Sequence, residues 1–134
     1  MKKLIIIISV VLLGSCSFGK IETSKAIDCV KSYLNAVKDG NYEQAQSYYS
    51  DIYNETEPKE KRIEKMQKLE TVMGKITTYV LIDSLREESY VETSSVNLTY
   101  RVFHTNVNSI EKFSIIKDRG EYRIIKHNVE SENL

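Results

Sequence analysis

Two thiols, two imidazoles and a surplus of phenols are the side chains through which this sequence could do chemistry. The thiols are Cys16 and Cys29, the imidazoles His104 and His127, and the phenols belong to nine tyrosines. His104 lies in phase with Val96, Leu98, Tyr100 and Val102, so a strand carrying all five turns them to one face. An imidazole held there beside a carboxylate and a phenol could move a proton, and Tyr33, Asp83 and Tyr100 are the groups to stand near it. These four residues form a candidate pocket. The blander expectation is that His104, beside an asparagine-rich connection, is a solvated strand-end residue, so no catalytic residue is assigned. His127, close to the C-terminal end in "IIKHNV", carries even less signal. The histidines and thiols are too scattered for metal-ligand spacing, and there is no G-x-S-x-G, glycine-rich phosphate loop or basic cluster interleaved with aromatics. No metal or cofactor is expected.

Cys16 is different, because its neighbours matter. Lys2 and Lys3 precede an apolar run, Leu4 to Leu13, broken only by Ser9. Ten helical residues span about 15 Å, half the hydrocarbon thickness of a bilayer, so the run fits a signal-peptide core better than a membrane span. It ends in Leu13-Gly14-Ser15-Cys16, which resembles the bacterial lipobox: an aliphatic residue, two small residues, then cysteine. The resemblance implies cleavage between Ser15 and Cys16 and a thioether from Cys16 to diacylglycerol. Two or three acyl chains suffice for stable anchoring, where one does not. Residues 1–15 are thus read as a removed signal peptide and 16–23 as a lipidated tether, which reaches at most roughly 28 Å. The product is expected to be exported and lipid-anchored to a bacterial cell membrane or outer membrane.

Composition limits what lies beyond the anchor. With 134 residues, 41% hydrophobic and 28% charged, the chain is ordinary globular material for one domain. Formal net charge is zero; without Lys2 and Lys3 seventeen basic residues face nineteen acidic ones, so no nucleic-acid partner is implied. If Cys16 carries lipid, Cys29 has no partner for a disulfide and packs as a small hydrophobe.

Three helices and about four strands must position the candidates. Ala26, Ile27, Val30, Tyr33, Leu34 and Val37 recur at three- and four-residue steps, and Asp39-Gly40 closes that helix. Asn41 to Gln44 resembles a capping box opening a second helix through Ala45, Tyr48, Tyr49 and Ile52. A third starts at Glu57-Pro58, shows the stripe Ile63, Met66, Leu69 and Met73, and stops at Gly74. Its Lys61, Lys65 and Lys68 share a face that reads as solvated among interspersed glutamates. Tyr42, Tyr48, Tyr49 and Tyr53 are more phenols than one short helix can bury, so one or two should be exposed or stand at a cavity mouth. Then come "KITTYVLIDSL" (75–85), the alternating stretch from Val96 to Phe103, and "KFSIIK" and "EYRIIKHNV" around the turn Asp118-Arg119-Gly120.

This order is α+β: three N-terminal helices on a bent antiparallel sheet of about four strands over residues 24–130, with 131–134 as a tail. The stretch "AIDCVKSYLNAVKDGNYEQAQSYYS" (26–50) resembles the opening of nuclear transport factor 2-like and cystatin-like domains. That resemblance implies a cone-shaped sheet whose mouth holds a ligand or an active site. The expected function is non-enzymatic binding of an unknown protein or small molecule by a membrane-anchored domain. The alternative is an isomerase- or dehydratase-like enzyme using the cavity near His104.

Overall fold

The computed structural model describes residues 20–88 and 94–132. The expected signal peptide, the Ser15–Cys16 junction, the first half of the tether (16–19) and the last two residues lie outside them. Helices α1 (Thr23–Lys38), α2 (Tyr42–Gln46), α3 (Asp51–Thr56) and α4 (Lys59–Met73) precede strands β1 (Ile76–Glu87), β2 (Ser95–His104), β3 (Ser109–Asp118) and β4 (Glu121–Ser131). The strands form one antiparallel sheet in the order β1-β2-β3-β4, as the alternation in sequence leads one to expect. No helix among the described residues is long and apolar enough to cross a membrane.

Its inner face is built by period-two alternation. Val96, Leu98, Tyr100 and Val102 of β2 are all buried, as are Phe113 and Ile115 of β3 and Ile124 of β4. Helix α1 lies across them with Ala26, Val30, Tyr33 and Leu34 inward. Burying each large apolar side chain here contributes about 1.5–3 kcal/mol. Register shifts in β1 after Ile76 and Leu81, and in β4 opposite Ser114 and Ile115, bend the sheet around the helices.

Two local features differ from the sequence reading. The expected second helix is two, α2 and α3, because Tyr48 and Ser50 leave the helical ladder to pair with β4. The Ile124 amide donates to the Tyr48 carbonyl at 2.8 Å and the Ser50 amide to the Ile124 carbonyl at 2.9 Å. Ser50 then restarts the helix, its hydroxyl accepting from the Tyr53 amide. At the β3–β4 hairpin, Arg119 joins Gly120 at positive φ (52° and 83°), the two-residue turn whose twist matches paired strands.

The corner between α4 and β1 is tightly closed. Gly74 has φ 89°, and a Cβ there would stand 1.9 Å from Thr105 Oγ1. The Asn106 and Val107 amides both donate to the Met73 carbonyl, fastening the end of α4 to the β2–β3 connection.

Candidate functional site

The alternation of β3 changes character halfway along. Ile115 and Phe113 are apolar, but the next two inward positions are Glu111 and Ser109, both buried. The β3–β4 register sets His127 opposite Phe113, and the two rings stack with centroids 4.2 Å apart at 13°. His104, the last residue of β2, completes a polar patch at this end of the sheet.

These side chains form a single hydrogen-bonded chain. His127 Nε2 is 2.7 Å from Glu111 Oε1, and its Nδ1 is 2.8 Å from the Tyr49 hydroxyl. The Tyr49 hydroxyl lies 3.2 Å from that of Tyr33. On the other side Glu111 Oε2 accepts from Ser109 Oγ at 3.0 Å, and Ser109 Oγ is 3.1 Å from His104 Nε2. His104 Nδ1 ends the chain 3.1 Å from the Gly74 carbonyl. Side-chain exposure is 7% for His104, 7% for Glu111 and 8% for His127, so water does little of the solvating. Burial, and then the Glu111 charge, push the Tyr33 phenol far up; burial and Tyr33 do the same to Tyr49. Both are therefore neutral hydroxyls that can donate and accept.

Helix α4 roofs this patch without filling the space beneath it. A cavity of about 40 Å³ runs beside Glu111 and His104, walled by Met66, Leu69, Met73 and Val129. A second, of about 150 Å³, shares Tyr33, Met66 and His127 as lining with the first and is bordered further by Tyr53 and Arg62. Arg62 is 3% exposed and lies 4.6 Å and 4.5 Å from the centroids of the Tyr49 and Tyr53 rings. Its guanidinium donates to Gln46 Oε1 and to the Glu57 carbonyl, tying the start of α4 to α2. Desolvation lowers its pKa, opposed by the neighbouring tyrosines.

Of the four pocket candidates from sequence, the fold brings two together: Tyr33 and His104 line the same cavity and belong to the same chain of hydrogen bonds. Tyr100 is 2% exposed within the core, its ring edge-on to Tyr79 and Phe113, and burial pushes its phenol up to about 12. Asp83 is exposed on the edge strand β1, opposite Thr99. Ser15 and Cys16 lie outside the described residues. The expectation of a solvated His104 is corrected: the α4–β1 corner closes over the ring and supplies the Gly74 carbonyl as its partner. His127, set aside in the sequence, is the junction of the network. Glu111, Ser109, Tyr49 and Arg62 were not singled out as polar site residues, though Glu111 and Ser109 keep step with Phe113 and Ile115. Cys29 is buried, its thiol donates to the Tyr122 carbonyl, and burial pushes it up to about 11. No group of three or more metal-ligating side chains is placed to hold an ion among the described residues. Lys65 and Lys68 pair with Glu57 and Glu64, so much of the basic face of α4 is internally compensated.

No family model matches the sequence, and no curated protein matches it. Solved structures do. A DUF4783 family protein from Bacteroides uniformis superposes with a TM-score of 0.58 at 14% identity, covering 78% of this chain and 97% of its own. A protein of unknown function with a cystatin-like fold from Nostoc punctiforme gives 0.58 at 10% identity, over 82% and 90%. The beta subunit of the benzoate 1,2-dioxygenase from Burkholderia mallei gives 0.56 at 9% identity, over 85% and 93%. At such identities the likeness is one of fold. The chain has an α+β, cystatin-like fold, in keeping with the architecture anticipated from the helix order.

Proposed function

We propose that this chain is a lipid-anchored protein of the bacterial envelope whose domain binds a small molecule beneath α4, without catalysing a reaction. The observation that carries the binding reading is the inner end of the sheet. A fold that buries Ile115 and Phe113 at one end places Glu111, Ser109, His104 and His127 at the other, against unfilled space. Desolvating a carboxylate and two imidazoles costs stability even when they are well paired, so the arrangement is better explained by what it faces than by stability. A cleft with apolar walls and a few convergent polar groups is the usual form of a small-molecule site. The anchor reading rests on Leu13-Gly14-Ser15-Cys16 after the apolar run, and places the domain at the surface of the cell membrane or outer membrane.

Two measurements test it. Cells fed an alkyne fatty acid should label the wild-type protein and leave Cys16→Ser unlabelled; label on the variant would sink the anchor. Met66→Trp, which fills the space under α4, should abolish ligand-induced thermal stabilisation of the domain; unchanged stabilisation would move the site elsewhere. One observation favours an enzyme instead. His127 and Glu111, 2.7 Å apart on the cavity wall, form the kind of pair that can take and return a proton. Turnover of a bound ligand, lost in Glu111→Gln, would decide for that alternative.

A further inference from the structure

The chain enters the fold at the end of the sheet opposite the hydrogen-bonded network. Ile21 is 2% exposed, the Glu22 amide donates to the Tyr122 hydroxyl at 2.8 Å, and α1 follows at once. Tyr122 comes just after the β3–β4 turn, opposite Lys117. The same corner holds the start of α3, because Arg119 in the turn reaches Asp51 at 3.1 Å. Ser109 and His104 lie at the other end of the strands, where Ser109 pairs with Val102 and His104 with Ile76. From Asp118 to Ser109, β3 runs about 30 Å. The chain from Cys16 to Ile21, by contrast, reaches at most roughly 18 Å. A lipid on Cys16 therefore holds this corner, and not the network, close to the membrane.

We propose that the domain stands on the bilayer by this corner, with Ile52 seated in the membrane interface, so that the Glu111 cavity faces water and takes its ligand from there rather than from the lipid. This placement rests on the lipid anchor proposed above and deepens it. Ile52, in the first turn of α3, is apolar yet 61% exposed. The other large apolar side chains exposed among the described residues stand elsewhere. Leu69 and Val72 belong to the last turns of α4, and Val80, Ile82 and Leu85 to β1, the opposite edge of the sheet from β4. The charges of the corner are paired with one another: Lys25 with Glu22, Arg119 with Asp51, Arg123 with Glu121. An apolar side chain among compensated charges suits the interface of a zwitterionic bilayer and needs no anionic lipid. One side chain gives little affinity by itself, but the short tether makes the contact intramolecular, so little is required. The Glu111 cavity is bordered instead by exposed Lys38 and Lys75 at the far end.

The experiment places a fluorophore on Ile52→Cys, Val72→Cys or Asn106→Cys of the acylated protein, in phosphatidylcholine vesicles that carry a nitroxide on the lipid. All three positions are exposed, so the variants should fold, and Cys29 is buried and stays unlabelled. The nitroxide should quench the label at 52 strongly and leave the labels at 72 and 106 bright. Strongest quenching at 72 would lay the domain on α4, and quenching at 106 would turn the cavity end to the lipid; either overturns the inference. Protein that floats with the vesicles while no label is quenched is anchored but held off the bilayer, so the inference falls and the anchor stands. Protein that does not float with the vesicles loses both. Adding phosphatidylglycerol should change the quenching at 52 little. Quenching that requires this anionic lipid and fades in high salt overturns the apolar contact.

Discussion

The two ends of one sheet face, separated by a few residues of β3, are built on opposite plans. At the Ile115 end, α1 sets Ala26 and Val30 beside a core of Val96, Leu98 and Ile124, all fully buried. At the Ser109 end, α4 contributes two methionines and an arginine to the buried set, leaves Val72 68% exposed, and stands over open space. The first end is close-packed, and its stability comes from apolar burial. The second is tied down at a few polar points: Arg62 near the start of α4, the Gly74 corner at its finish, and the network between them. A fold can therefore keep one cooperative core while leaving the adjoining roof weakly held, which is where ligand-binding elements are drawn from.

Phe113 joins the two plans, and removing it should do the greatest damage. Its ring is 1% exposed, edge-on to Tyr33 and Tyr100, and stacked on His127. Phe113→Ala should lower unfolding free energy by about 3–5 kcal/mol, the usual cost of emptying a buried aromatic site. Urea denaturation measures this. A loss below about 1 kcal/mol would mean that the boundary between the two ends is plastic rather than packed.

A smaller loss, confined to the polar end, is expected from Gly74→Ala. Any side chain at φ 89° is strained, and this one would also meet Thr105 Oγ1 at 1.9 Å. The expected cost is about 1–3 kcal/mol. Amide exchange should localise it, speeding in α4 and around Asn106 and Val107 while α1 and β2 keep their protection. Uniform loss of protection would show that α4 is part of the core after all.

The same contrast explains what could be read from sequence. The apolar end was legible because Val96, Leu98, Tyr100 and Val102 alternate without exception, and α1 repeats at helical spacing. The polar end was not, for two physical reasons. In "SIEKFSII" both phases of the alternation contain apolar residues, so Ile110 competes with Glu111 for the inward position, and burial goes against hydropathy. In β4 the register shift opposite Ser114 and Ile115 moves His127 into the inward phase, which no local pattern announces. His104 was found because its strand has no such ambiguity. Its burial was missed because the covering corner comes from residues 30 positions earlier. The split between α2 and α3 was hidden likewise, since the bonds that interrupt the helix come from Ile124.

The least expensive change tests how much of the roof's attachment is electrostatic. Lys65 on α4 is 2.6 Å from Glu57, and that hydrogen bond raises the lysine pKa. The lysine is 67% exposed, but Glu57 is only 17% exposed and lines the larger cavity with Tyr53 and Arg62. An exposed pair of this kind is worth about 0.2–1 kcal/mol, because solvent screens the attraction and ordering a long side chain costs entropy. Lys65→Ala should therefore lower stability by no more than that, and the difference from wild type should vanish near 1 M salt, where screening acts within about 3 Å. Thermal unfolding at low and high salt reads both quantities. The consequence at the cavity should be larger than the consequence for folding, because Glu57 loses its pairing with Lys65 at a wall that a ligand would touch. If Lys65→Ala costs several kcal/mol instead, α4 is held by its charges as firmly as α1 is by its apolar face, and the contrast between the two ends disappears.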